Sequence, residues 1–324
     1  MTSLSTPPLL RAVYCVMSAR SLPYARHAME SIAAHSLEPL DLTFITDGPG
    51  DKAAIVATLQ SLALPDRHAW RVADQAEADE RAAPLLARHP AIAAFRLGHP
   101  CWRKITDPML FAPPGGEMVI MDPDLYFPNH FRFEPTPAKG LLLMYQPPSC
   151  LLPHEVVIRA YDEGIRLAHH VDIGVAQSRN AFDLDWLDWL IGRLGGTGIP
   201  RSMHVEAIVW AAMGMRDGGG YLDPEHWHCW RNSQWKRVLR RFGASGRTVL
   251  KAERFEAMKV FHGGGVAKWW VPEALAAAEL PEPATIEASR PPLPYEELTR
   301  VAYESTQRLK SWARRAGYYR LVKS

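Results

Sequence analysis

Along the first 125 residues, short blocks of consecutive apolar positions alternate with longer stretches in which apolar residues recur every three or four places. The first block, Arg11 through Met17, ends at Ser18 and predicts a buried strand. Behind it, Ala25, Met29, Ile32 and Ala33 share one helical face, with Ser21 and Pro23 as start signals. Residues 40–46 predict a second strand, stopped by Asp47-Gly48-Pro49-Gly50, and Ile55, Val56, Leu59 and Leu62 mark one side of a second helix. A short strand is expected around residues 70–72. Residues 75–97 are alanine-rich and read as helix broken by Pro84 and Pro90. After a turn at residues 113–116, Met118-Val119-Ile120-Met121 predicts another buried strand, followed at once by Asp122-Pro123-Asp124. This β-α-β-α order predicts an α/β fold with a mostly parallel central sheet flanked by helices. In such sheets ligands bind beyond the carboxyl ends of the strands, where Ser18, Asp47 and Asp122 all fall.

The second half is less regular. Residues 140–145 and 170–176 read as strands. A helix is expected from Asp183 or Asp185 to Leu194, with Leu187, Leu190, Ile191 and Leu194 on its core side, and another from Ser202 to Met213. A tryptophan-rich basic stretch fills residues 227–241. A last helix over about 294–316 is expected to turn Leu298, Val301, Ala302, Leu309 and Trp312 toward the body. The expected division is a main domain over residues 1–280, in two halves (1–130 and 131–280). A proline-rich tether and C-terminal helix follow over 281–324.

The chain has 324 residues, 47% hydrophobic and 22% charged, enough to bury a large core and too apolar for general disorder. The net charge of +2 gives no reason to expect a nucleic-acid partner. Four scattered cysteines without a C-x-x-C pair argue against a disulfide framework and fit reduced thiols in a cytoplasmic protein. No apolar run reaches the roughly 20 residues that cross a bilayer.

Candidate chemistry centres on Asp122 and Asp124. Two residues apart in an extended segment, they face the same way, and Pro123 stiffens the turn between them. Such a pair suits a hard divalent cation that also takes diphosphate oxygens, although D-P-D also serves as a plain turn. His262, ahead of Gly263-Gly264-Gly265, is either a metal ligand or a structural histidine in a glycine loop whose bare backbone can approach phosphate. Glu206, on an otherwise apolar helix, either needs a buried partner or lies on the wet face. Trp227, Trp230 and Trp235, interleaved with Arg231, Lys236 and Arg237, could either wall an acceptor sugar or meet a membrane interface. His226, His228 and Cys229 lack the fourth partner of a zinc site.

The segment 118–127, an apolar strand followed by Asp-x-Asp and further apolar residues, resembles that of GT-A glycosyltransferases, particularly the family 8 type. Tyr14 through Ser18, Phe44 through Gly48, the basic helix at Arg103-Lys104, and Asp172-Ile173-Gly174-Val175 also match in order. The late segment 260–270 is similar to the family's His-x-x-Gly-x-x-Lys-x-Trp element. The resemblance spans about residues 10–270. It implies a GT-A nucleotide-sugar fold and a metal-dependent transfer from a nucleoside-diphosphate sugar, a UDP-sugar first, to a glycan or lipid-linked acceptor. It further implies retention of configuration and a cytoplasmic enzyme of polysaccharide synthesis, peripheral at the inner membrane face where the acceptor is a lipid. Mn²⁺ or Mg²⁺ would be held by Asp122, Asp124 and His262. Gly265 and Lys268 would touch the diphosphate, Arg103 or Lys104 would neutralise it, and Ser18, Tyr24 and Asp47 would surround base and ribose. Asp124, Glu206, Asp172 and Lys268 are the candidates closest to the chemistry. Two departures stand out: Asp172 replaces the usual asparagine, and His204-Val205-Glu206 stands where relatives carry an Asp-Gln pair. The rival expectations are a sugar nucleotidyltransferase, against which the glycine-poor loop Ser18–Ser21 speaks, and a noncatalytic binding protein on the same scaffold.

Overall fold

The computed structural model describes residues 10–316. Four parallel strands open the sheet in the order β3 (Ala69–Ala73), β2 (Leu40–Thr46), β1 (Arg11–Met17), β4 (Glu117–Met121). Between them run α1 (Leu22–His35), α2 (Asp51–Ser61), α3 (Gln75–Leu86), α4 (Pro90–Arg96) and α5 (Arg103–Phe111). Pro84 sits inside α3 rather than ending it, and the helical stretch parts only at residues 87–89. Strand residues alternate faces. Tyr14, Val16, Met118 and Ile120 enter one apolar layer, whereas Val13, Cys15, Met17, Val119 and Met121 enter the other under α1 and α2.

The remaining strands decide which side chains meet. They are β5 (Leu125–Tyr126), β6 (His130–Phe131), β7 (Leu141–Tyr145), β8 (Val171–Arg179), β9 (Gly219–Tyr221), β10 (Trp227–Cys229) and β11 (Val260–His262). The sheet continues from β4 through β8, β7, β10 and β11 to β5, with β9 beside β7. Most pairings are parallel, but β8 runs antiparallel to both β4 and β7. Its start therefore lies at the carboxyl end of β4. Met121 pairs with Val175, which carries Asp172 and Gly174 past the end of β4 to Asp122. β11 runs antiparallel to β5, with His262 opposite Leu125, one residue after Asp124. These two antiparallel contacts bring segments far apart in sequence to one edge.

Three of the later helices, α6 (His154–Asp162), α7 (Leu184–Leu194) and α8 (Val205–Asp217), cover the first apolar layer. Asp183 caps α7 by accepting from the Trp186 amide, and Leu187, Leu190, Ile191 and Leu194 are buried as their spacing implies. α8 begins at Val205, and Ser202 gives it no side-chain cap. A third, smaller apolar cluster lies under α9 (Gln234–Arg241), α10 (Gly246–Leu250) and α11 (Ala267–Ala276), built on Trp230, Leu250, Phe255 and Phe261.

The C-terminal segment departs from expectation. Residues 284–298 run extended against the body: β12 (Thr285–Ile286) pairs with β6, Leu293 bridges Tyr221, and Glu297 bridges Ala168. α12 starts only at Arg300 (Arg300–Arg315). Leu298 and Tyr303 are buried, whereas Val301, Leu309 and Trp312 are 75%, 66% and 68% exposed, and Ala302 is also exposed. The extended strap fixes the frame in which the chain meets the body, so the expected apolar face of the helix points elsewhere. Among the described residues no helix is long and apolar enough to cross a membrane.

Candidate metal and nucleotide site

The turn after β4 places Asp122 and Asp124 on one side, as the two-residue spacing requires. His262, the last residue of β11, points its Nε2 at them, 3.2 Å from Asp124 Oδ1 and 3.8 Å from Asp122 Oδ2. One ligating atom from each of the three lies within 4.8 Å of the others. The other ring nitrogen, Nδ1, is 2.7 Å from Asp172 Oδ1, which also accepts from the Gly174 amide at 2.8 Å. A carboxylate on Nδ1 fixes ring orientation and tautomer and makes Nε2 the more basic ligand. Two carboxylate oxygens and one imidazole nitrogen suit Mn²⁺ or Mg²⁺ better than a soft-metal site. A competing set, Asp172, Cys229 and His262, also converges. Burial holds the Cys229 thiol well above its ordinary value, and Nδ1 is already engaged, so that set lacks a thiolate.

Charge is balanced pairwise around this edge. Lys104 Nζ lies 2.7 Å from Asp122 and 3.0 Å from Glu206, and Lys268 Nζ is 3.6 Å from Asp124. Burial would lower the His262 imidazole, but Asp172 and Asp124 raise it well above its usual value. Burial also pushes the Asp124 carboxyl up, and the charges of His262, Lys268 and Lys104 more than offset this and hold it well below the carboxylate range. For Asp122 burial wins over Lys104, with Asp124 adding repulsion, so its carboxyl is raised. Asp172 is lowered, its burial outweighed by His262 and the Gly174 amide. Glu206 is pushed up to about 8, because burial and the Asp122 charge outweigh Lys104.

Glycines close the geometry. A Cβ on Gly174 would stand 2.7 Å from His262 Nδ1 and 3.0 Å from Asp172 Oδ1. Gly263 donates its amide to the Asp124 carbonyl at 3.0 Å, and Gly265 has φ +68°, the left-handed region that favours glycine. Beyond the three putting their donors together, a cleft of about 680 Å³ opens. Its inner wall carries Lys104, Asp122, Asp124, Asp172, Glu206 and Lys268; its outer wall comes from the Gln146–Cys150 loop and from Trp230, Arg231, Asn232 and Arg237.

The remaining expected residues separate into two groups. Tyr24 is tied to the late glycine loop: Lys268 lies over its ring at 4.7 Å, and Trp269 meets it edge-on at 5.2 Å. Ser18 and Asp47 follow β1 and β2 at the same sheet edge but do not line the cleft. There Asp51, not singled out from sequence, accepts the Ala19 amide at 3.0 Å. Arg103 turns away from the carboxylates. It shares the buried Asp107 with Arg96, both at 2.7 Å, so of the basic pair it is Lys104 that reaches Asp122. His228 pairs with Glu253 at 3.3 Å and does not converge with His226 and Cys229. Sequence reasoning passed over Gln146 through Cys150, which carries no motif, and gave Gly174 no role although the Asp-x-Gly spacing was visible.

No model of a known protein family matches the sequence, and comparison with curated proteins finds no match. Solved structures similar to this chain include glycosyltransferases. Mouse xyloside xylosyltransferase 1 in its apo form is 12% identical at a TM-score of 0.49, covering 80% of this chain and 98% of its own. Galactosyltransferase LgtC with donor and acceptor sugar analogues is 12% identical at 0.46, covering 83% and 95%. Core-mannan synthase A from Aspergillus fumigatus in its Mn/GDP form is 10% identical at 0.42, covering 66% and 71%.

Proposed function

We propose that this chain is a metal-dependent glycosyltransferase that moves a sugar from a nucleoside-diphosphate sugar, with a UDP-sugar the first donor to try, to a hydroxyl of a glycan or lipid-linked acceptor. The observation that carries the reading is the meeting of Asp122, Asp124 and His262 at the inner end of a large cleft, with the second nitrogen of His262 held by Asp172. Mn²⁺ or Mg²⁺ bound by these three residues would supply Lewis-acid stabilisation of the departing diphosphate. Asp172 keeps the His262 ring turned toward the two carboxylates. Lys268 stands beside Asp124 as a point charge for a phosphate oxygen, and the open backbone at Gly264 and Gly265 lets that oxygen approach. Lys104, buried between Asp122 and Glu206, holds the floor of the cleft together and adds fixed positive charge where the leaving group gains negative charge.

Retention of configuration is part of the proposal. Inversion needs a free carboxylate as base. Asp172 is spent on His262 and the Gly174 amide, and Glu206, its carboxyl pushed up by burial, lies 3.0 Å from Lys104. Neither is available for that task.

The test is calorimetric titration of UDP, GDP and CDP with and without Mn²⁺, followed by release of the nucleoside diphosphate from the matching donor sugars. Binding that strengthens with Mn²⁺, and is lost with turnover in the Asp122→Ala/Asp124→Ala variant, is the expected result. Unchanged turnover in that variant refutes the proposal.

A further inference from the structure

The two ends of the cleft differ in how their charges are matched. At the inner end each carboxyl group has a basic side chain beside it: Lys104 for Asp122 and Glu206, the His262 ring for Asp124 and Asp172, and Lys268 again for Asp124. At the outer end the exposed Arg231 and the half-buried Arg237 line the same cleft, and among the described residues neither takes part in an ion pair or a side-chain hydrogen bond. The Nε of Arg237 is buried without a partner, as are Trp230 Nε1 and Asn232 Oδ1. Buried polar atoms are rarely left unsatisfied, and a cluster of them in a cavity wall marks groups that await a ligand.

The segment is anchored rather than loose. The Trp230 amide donates to the His262 carbonyl at 3.0 Å, which ties the outer wall to the candidate metal residues. Lys236 pairs with Glu253 and Arg240 stacks on Trp270, whereas Arg237, like the exposed Arg241 at the end of α9, has no such partner. Guanidinium groups fit carboxylate and phosphate oxygens with paired N–H donors. For the donor's diphosphate, Lys104 and Lys268 already stand beside Asp122 and Asp124.

We infer that Arg231 and Arg237, with the Trp230 indole N–H, form an acceptor subsite for a negatively charged group, Asn232 Oδ1 accepting from a hydroxyl of the same molecule, so that the accepting molecule carries a phosphate or a carboxylate close to its reactive hydroxyl. This rests on the glycosyltransferase reading for the word acceptor, but the anion site itself does not. Two sources share the chemistry: the phosphate of a lipid-linked or phosphorylated glycan, and the carboxylate of an acidic sugar.

The experiment titrates protein saturated with Mn²⁺ and a nucleoside diphosphate with glucose 1-phosphate, with glucuronate and with glucose, following binding by calorimetry. The Arg231→Gln/Arg237→Gln variant is titrated in parallel. The expected result is at least tenfold tighter binding of one anionic probe than of glucose, weakened at least tenfold in the double variant and by added salt. A preference for glucose 1-phosphate assigns the site to phosphate, and one for glucuronate assigns it to an acidic sugar. Equal affinity for glucose and both anions, or anion binding unchanged in the variant, overturns the inference. Mn²⁺-dependent nucleotide binding in the same samples reports separately on the transferase reading, so either can fail alone. Circular dichroism confirms that the variant is folded.

Discussion

Replacing Gly174 by alanine is the sharpest probe of how the candidate metal ligands are held. The backbone of Gly174 serves two neighbours at once: its carbonyl accepts the Asp122 amide at 2.8 Å, and its missing side chain leaves room for His262. An added Cβ would stand 2.7 Å from Nδ1 and 2.8 Å from Cγ of that ring, where ordinary contact begins at 3.4 Å. The ring must therefore retreat by roughly 0.7 Å or the strand must bend, and both are confined by burial. Backbone strain is not involved, because Gly174 lies outside the left-handed region. Overpacking of this kind costs about 1–3 kcal/mol. Displacing a ligand or its hydrogen-bond partner weakens metal binding by about 10–100-fold. The expected outcome is a folded protein with lower thermal stability and Mn²⁺ affinity reduced by one to two orders of magnitude, measured by calorimetry in the presence of UDP or GDP. Asp172→Asn, which keeps the shape but removes the charge from Nδ1, should weaken Mn²⁺ without the steric loss of stability. Wild-type Mn²⁺ affinity in Gly174→Ala would refute the claim that this glycine positions His262.

Two further perturbations separate scaffold from site. Asp107→Asn leaves Arg96 and Arg103, both buried, with only Asp79 as a carboxylate partner; breaking a buried pair in this way costs about 3–5 kcal/mol, read as a lower urea midpoint, while nucleotide affinity per folded molecule stays as in the wild type. Loss of nucleotide affinity from the folded fraction would return Arg103 to the site. Glu206, raised to about 8 in the folded protein, binds its proton more tightly there than in the unfolded chain, so its contribution is fully present below the unfolded value and is lost as pH rises through about 8. The melting temperature should therefore fall across about pH 5–8 more steeply in wild type than in Glu206→Gln, and parallel curves would show that Glu206 does not govern this slope.

The parallel half of the fold was open to reading because its signals are local. A block of apolar residues ending in Ser18, Asp47-Gly48 or Asp122-Pro123-Asp124 marks both a strand and the place where it stops, and the structure puts β1, β2 and β4 there. Direction is different. Residues 171–179 look the same to a hydrophobic pattern whether the strand runs up or down, yet only the antiparallel course delivers Asp172 and Gly174 to Asp122. Arg103 and Lys104 likewise could not be told apart by composition, since adjacent helical residues point about 100° apart and only packing decides which faces the sheet edge. α12 failed for a related reason. The helical period located its apolar residues, but the extended strap before it, pinned through Leu293 and Glu297, set which of them met the body.

Asp172 shows how a local departure from a pattern that the sequence resembles acquires meaning only in three dimensions. Read along the chain, Asp172 is one of the candidates closest to the chemistry. In the structure its Oδ1 accepts from both the Gly174 amide and His262 Nδ1. An asparagine carbonyl there could accept the same two hydrogen bonds, but it would bring no charge to oppose the cost of burying an imidazole beside Asp122 and Asp124. The carboxylate strengthens the hold on the ring and raises its proton affinity, which makes Nε2 a better ligand for a cation and a tighter site for a proton when no cation competes. Metal affinity in this protein should consequently fall as pH drops, because proton and metal contend for one nitrogen, and Asp172→Asn should make that dependence shallower. Mn²⁺ titrations at two pH values on both proteins decide it: equal pH dependence would mean that His262 is not a ligand, and that the carboxylates bind the ion without it.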